Sequence, residues 1–290
     1  MAEITAAMVK KLRDDTQLPM MECKKALKDA NGDMEAAKQA LRESGKQFMG
    51  KRQDRSTDEG RIGVYASVVD GVGTMIELQC ESAPVSNNEE FVQLASDLAR
   101  QLATGPGAAT AEELWSQPSP SKDGMTLEEQ RDEIQNKIRE VFRVSRFERV
   151  DAPCGAFVHM AKIGVLLEVE GGSDELAKEV SLHIAAMNPA ATTKDDLDSA
   201  KVEKERELQK ERARQEGKPE NIIEKMIEGR MRNYYAENVL EEQAFVKDEK
   251  QTVGTIAKAG GMKLKRFLRW QLGENNPSAE SDEAAAAAAG

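Results

Sequence analysis

RIGVYASVVDGVGTMIELQC, Arg61 to Cys80, places apolar residues at alternate positions on either side of a glycine turn. Ile62, Val64, Ala66 and Val68 follow the period of a half-buried strand. Asp70-Gly71-Val72-Gly73 supplies the turn, since glycine tolerates the positive φ of a tight hairpin. Ile76, Leu78 and Cys80 resume the alternation in a second strand. A helix is expected next. Asn88 is a suitable N-cap, Glu89 and Glu90 occupy the first turn, and Phe91, Leu94, Leu98 and Leu102 form one apolar stripe.

The same order recurs downstream. Phe157 and its neighbours make one strand, and Ile163 to Glu170 another. Ser173 then caps a helix carrying Leu176, Val180 and Ile184, with Asp174 and Glu175 in its first turn. Two strand–strand–helix units suggest an internal duplication and an α+β fold. They differ at one point. Little more than Gly171-Gly172 joins strand to helix in the second unit, whereas the first has the longer loop Ser82-Ala83-Pro84-Val85-Ser86-Asn87. Extra loop residues on a rigid scaffold are a candidate binding element, although a tolerated insertion reads the same way. Between the units lie a Gly-, Pro- and Ser-rich linker, Thr104 to Gly124, and a helix from about Leu127 to Phe142.

Upstream, the first residues read as three short helices. Ile4, Met8 and Leu12 make one stripe, and Pro19 opens a second helix with Met20, Cys23 and Leu27 on one side. Asn31-Gly32 stops that helix, and Asp33 caps a third with Ala37 and Leu41. Met21 falls on the polar side beside Lys25 and Lys28, where a flexible thioether suits contact with a partner. Residues 46–60 read as a polar linker.

Downstream, Lys194 to Val239 reads as a helical hairpin turning at Gly217-Lys218-Pro219. Its first arm, Lys201 to Arg214, has almost no apolar seam and is expected to project. The second carries Ile222, Ile223, Met226, Ile227 and Tyr234. A helix (Thr252 to Ala259), a strand (Leu264 to Leu272) and a disordered tail with the low-complexity run Ala284 to Ala289 complete the chain.

Composition narrows the function. Of the 290 residues, 32% are charged and 4% aromatic, with a net charge of −11, which disfavours broad contact with nucleic-acid phosphates. Residues 1–55 hold 12 Lys/Arg against 9 Asp/Glu, and the rest 29 against 43. A basic module beside an acidic body could steer a partner, and solvated helix faces account for the same distribution. No apolar run approaches the roughly 20 residues of a membrane span. Met1 to Val9 lack a basic segment followed by an apolar one, so no signal peptide is expected. Three cysteines, none in a CxxC pair, suit a reduced, cytoplasmic protein.

Motifs for covalent chemistry are missing. Neither His159 nor His183 lies in an HExxH pattern, and no Cys/His spacing matches a zinc site. No GxSxG elbow occurs, and Gly45-Lys46-Gln47 lacks the spacing and hydroxyl of a phosphate loop. The chain is therefore expected to bind another protein, with no cofactor, no metal and no enzymatic chemistry of its own.

The residues also carry a family likeness. Leu12-Arg13, Thr16 and Met20-Met21-Glu22-Cys23-Lys24-Lys25-Ala26-Leu27 resemble the N-terminal signature of the bacterial elongation factor Ts family. Ala161-Lys162-Ile163-Gly164-Val165-Leu166, Gly217-Lys218-Pro219, Glu224 through Met231, Thr252-Val253-Gly254 and Arg269 to Glu274 resemble later parts of it, in order.

The resemblance implies a UBA-like three-helix domain and linker over 1–55 and a first core subdomain over 56–150. The first part of a second subdomain covers 151–193 and a helical hairpin 194–241. The end of the core and a C-terminal module cover 242–274, and a tail 275–290. It also implies guanine nucleotide exchange on elongation factor Tu, with no direct nucleic acid or membrane partner. Two copies could pair through the hairpin. By residue match, Arg13, Met20 and Met21 would grip the GTPase domain of Tu, and His159 would contact another of its domains.

The family's central Thr-Asp-Phe-Val motif follows a strand matching Glu77-Leu78-Gln79-Cys80-Glu81, but here reads Ser82-Ala83-Pro84-Val85. The Asp and Phe that the family inserts near the magnesium site of Tu are replaced. That departure keeps an alternative open, a Tu-binding chaperone or stabiliser with weak exchange.

Overall fold

The computed structural model describes residues 4–217 and 219–274. Lys218 of the expected hairpin turn, the 275–290 tail and its Ala284 to Ala289 run lie outside the described residues. The chain folds as two compact units. One takes the chain up to Gly63, Ile76–Glu148 and the end from Leu272; the other takes Val64–Met75 and Arg149–Gln271.

The first unit begins with α1 (Ala6–Thr16), α2 (Met20–Asp29) and α3 (Met34–Gly50). Val9, Leu12, Leu18, Cys23, Leu27, Ala37 and Leu41 form their shared core. Asp33 caps α3 through Oδ1, which accepts from Glu35 N at 2.9 Å and Ala36 N at 3.0 Å. The expected linker from residue 46 is corrected: α3 runs on to Gly50. Packing overrides composition there. Met49 is buried, and Gly45 lies so close to Asn136 that an added Cβ would sit 2.5 Å from its Oδ1.

β1 (Glu59–Ser67) and β2 (Val72–Cys80) follow, then a one-turn helix α4 (Ala83–Ser86), α5 (Glu89–Thr104), α6 (Ala111–Trp115), α7 (Leu127–Ile138) and β3 (Arg143–Val150). β1, β2 and β3 form a sheet in that order. As the central strand, β2 is buried along all nine residues rather than on alternate ones. Its polar positions are paired inside: Gln79 Nε2 donates to Glu77 Oε1 at 2.8 Å, and Thr57 Oγ1 to Gln79 Oε1 at 3.2 Å. α5 matches expectation. Asn88 accepts from Glu90 N at 2.9 Å, and Phe91, Leu94, Leu98 and Leu102 are fully buried.

Two further expectations are corrected. The Gly/Pro/Ser-rich stretch contains α6, whose Trp115 is buried beneath the Arg131 guanidinium at 4.9 Å. The helix from Leu127 ends at Ile138, where Arg139 turns left-handed at φ 66°. Val141 and Phe142 are buried ahead of β3, with the Phe142 ring edge-on to Phe91 at 4.8 Å.

In the second unit, β4 (Cys154–His159) and β5 (Ile163–Gly171) pair antiparallel with His159 opposite Ile163. α8 (Asp174–Met187) covers them, capped by Ser173, whose Oγ accepts from Leu176 N at 3.2 Å. α9 (Ser199–Gln215) and α10 (Glu220–Asn238) pack through Ala213, Ile223, Ile227 and Met231. A small hairpin follows, β6 (Ala244–Phe245) and β7 (Asp248–Thr252), then α11 (Val253–Ala259) and β8 (Met262–Gln271). β8 pairs antiparallel with β5, completing a β4–β5–β8 sheet. Among the described residues no helix is long and apolar enough to cross a membrane.

Candidate partner-binding surface

In the first unit, Arg13 lies in the last turn of α1 and Met20 and Met21 in the first turn of α2, so all three mark one end of this helix pair. Arg13 is exposed, Met21 is 73% exposed and Met20 50%. Met20 was expected on the buried stripe. As the first residue after Pro19 it overhangs the core, and burial starts at Cys23 and Leu27. Lys24, Lys25 and Lys28 are exposed on the same helix, giving an apolar tip with a basic flank.

The stretch from Ser82 to Asn87 was expected as a loop, and its middle, Ala83–Ser86, instead forms α4. Proline at Pro84 suits a first helical turn, where no backbone donor is lost. Ala83 and Pro84 are exposed, Val85 is half-buried and Ser86 buried. The turn is held at both ends. Arg61 donates to the Ser86 carbonyl at 2.8 Å. At the other end Glu140 accepts from Ser82 N at 3.1 Å and from its hydroxyl at 2.5 Å. Beside it, burial and then the Glu140 charge push the Cys80 thiol up to about 12.

Glu81, one residue earlier, accepts from Val141 N at 2.9 Å and pairs with Arg55 at 2.7 Å. Its burial raises the carboxyl, but the Arg55 bond, the Val141 N–H and the charges of Arg55 and Arg52 outweigh that and hold it below the ordinary range. Arg139 pairs with Glu22, next to Met21, at 2.6 Å, and its guanidinium lies 4.8 Å over the half-exposed Phe48 ring. Sequence reasoning missed Glu140, Arg139 and Glu22, because partners up to 117 positions apart leave no local signal.

In the second unit, His159 is exposed at the end of β4, and its carbonyl accepts from Lys162 N at 3.0 Å. Met160 and Ala161 form the tip of that hairpin at φ 47° and 61°, and Met160 is 80% exposed. His183 is fully buried instead. Its Nδ1 accepts from Val246 N at 3.2 Å, which leaves Nε2 to donate to Gln243 Oε1 at 2.9 Å. Burial lowers its pKa, partly offset by Gln243.

Cys80 and Cys154 are both pushed up to about 12, with burial the main cause, so neither supplies a thiolate near neutrality. A groove of about 480 Å³ beside α3 and α7 is lined by Lys38, Arg42 and Lys46, each already paired with Asp15, Glu133 or Asp132. Among the described residues no group of three or more His, Cys, Asp or Glu is placed to hold a metal ion.

The exposed methionines, the solvent-facing α4 turn and the exposed His159 are the candidate contact elements of the described surface. A family model described as elongation factor TS matches residues 81–274. Elongation factor Ts from Azoarcus sp. (strain BH72) is 41% identical, covering 100% of this chain and 99% of that protein. Those from Hydrogenovibrio crunogenus (strain DSM 25203 / XCL-2) and Bordetella petrii (strain ATCC BAA-461 / DSM 12804 / CCUG 43448) are 40% and 39% identical over 99% and 100% of this chain, and 98% and 99% of the respective relatives. The chain belongs to the elongation factor Ts family.

Proposed function

We propose that this chain is a translation elongation factor that binds elongation factor Tu carrying GDP and promotes GDP release, so that GTP can enter. Full-length relatedness to elongation factor Ts carries the reading. The exposed α4 turn on a rigid strand, in the place of the family's central motif, supports it.

Its action is non-covalent. A factor that prefers nucleotide-free Tu weakens nucleotide binding by the same coupling free energy. Each tenfold in the exchange equilibrium requires about 1.4 kcal/mol, within reach of an ordinary interface. Arg13, Met20 and Met21 grip the GTPase domain, and His159 holds a second domain. Ser82-Ala83-Pro84-Val85 works near the magnesium site. With Ala and Pro at its tip, this turn is a stiff apolar wedge rather than a carboxylate and an aromatic ring.

The working parts are a UBA-like domain over 1–55, two core subdomains of common descent beginning at 56 and 151, a hairpin over 194–241 through which two copies could pair, and a C-terminal module ending near 274. The setting is the cytoplasm, with no enzymatic chemistry, metal or direct nucleic-acid partner. Tu loaded with fluorescent GDP tests the function: added chain speeds the loss of signal, and an unchanged rate in a confirmed complex refutes it.

A further inference from the structure

Three consecutive residues that leave α7 touch both candidate binding elements of the first unit. Arg139 adopts φ 66°, a conformation open to glycine and unfavourable for a side chain bearing Cβ. A helix end needs no arginine there, so its side chain is the part to explain. It reaches Glu22 at 2.6 Å, one position from Met21, and lies over Phe48. Glu140 takes both polar hydrogens of Ser82, the residue that opens the α4 turn. Val141 is fully buried, and its N–H meets Glu81, itself clamped by Arg55.

We infer that Arg139 and Glu140 are positioning residues for nucleotide exchange: Glu140 fixes the Ser82–Val85 turn, and Arg139 ties the methionine-bearing start of α2 to the same segment. The inference rests on the exchange reading above. Its physical content is preorganisation. A turn held before encounter loses no further conformational freedom when it meets the partner. Without Glu140, Ser82 loses two bonds to a charged acceptor, and Ala83 and Pro84 sample several directions.

The two residues therefore have opposite kinetic signatures. The test times fluorescent-GDP release from Tu over a range of concentrations of the full chain. Glu140→Ala lowers the maximal release rate by about tenfold, the equivalent of one bond to a charged group, with the half-saturating concentration changed less than about threefold. Glu140→Gln, which keeps one acceptor, recovers part of the rate. Ser82→Ala combined with Glu140→Ala is no slower than Glu140→Ala alone, because both act through one contact. Arg139→Gly suits the left-handed φ and removes the contacts to Glu22 and Phe48 together, raising the half-saturating concentration with the maximal rate held.

Glu140→Ala at the wild-type maximal rate, or additive losses with Ser82→Ala, overturns the inference while exchange stands. Additivity marks general destabilisation rather than positioning. A wild-type chain that binds Tu without speeding release removes the exchange reading itself, and this inference with it.

Discussion

Glu77, fully buried at the centre of β2, forms an ion pair with Arg146 of β3 at 2.8 Å. Gln79 and the backbone N–H of Gly273 also donate to Glu77, so the carboxylate is satisfied on both oxygens. Removing one partner of a buried pair strands the other charge, at a cost of about 3–5 kcal/mol. Arg146→Ala should lower the unfolding free energy by that order in chemical denaturation. Replacing Arg146 and Glu77 together with Met and Leu should cost less than Arg146→Ala alone. A loss below about 1 kcal/mol for Arg146→Ala would show the pair to be solvated.

His183 makes stability depend on pH. An unfolded histidine titrates near 6.5, and burial lowers that value in the fold. The unfolded chain therefore binds a proton that the fold disfavours. The stabilisation is fully present above about pH 6.5 and is lost as pH falls below it. Denaturation midpoints should drop between about pH 6.5 and 5, and His183→Gln should flatten that slope. An equal slope in the variant would place its source elsewhere.

Met160 sits at φ 47° on an exposed hairpin tip. Met160→Gly should raise the unfolding free energy by about 1 kcal/mol, since glycine carries no penalty there. His159→Ala, next to it and exposed, should leave stability within about 0.5 kcal/mol of wild type while weakening Tu binding in titration calorimetry. Unchanged binding would remove His159 from the contact surface.

The α4 tip offers a gain-of-function test. Ala83 and Pro84 are exposed, so Ala83→Asp with Pro84→Phe should fold normally. If the native tip is the weaker tool, the double variant should release GDP several-fold faster; an equal rate would show that the stiff turn already suffices.

Much of this architecture was legible where physics is local. The caps at Asp33, Asn88 and Ser173 stand where their side chains predict, whereas β1 buries Ile62 and Gly63 and leaves Val64 to Ser67 half-buried, without the expected alternation. The end of the helix from Leu127 was misplaced at Phe142 because Arg139 turns left-handed without the glycine that signals such a stop. The β6–β7 hairpin turns through Val246 and Lys247, which carry no turn chemistry. At the surface, Met21 was legible from its helix face, and Arg13 only through the family resemblance. The clamp on Ser82 was not legible, since Glu140 is 58 positions away.

The most direct test of the central claim is the release of fluorescent GDP from Tu with the unmodified chain at saturating concentration. The account predicts release faster by at least tenfold and a dependence on chain concentration that reaches a plateau. A stable complex that releases GDP at the intrinsic rate would contradict it.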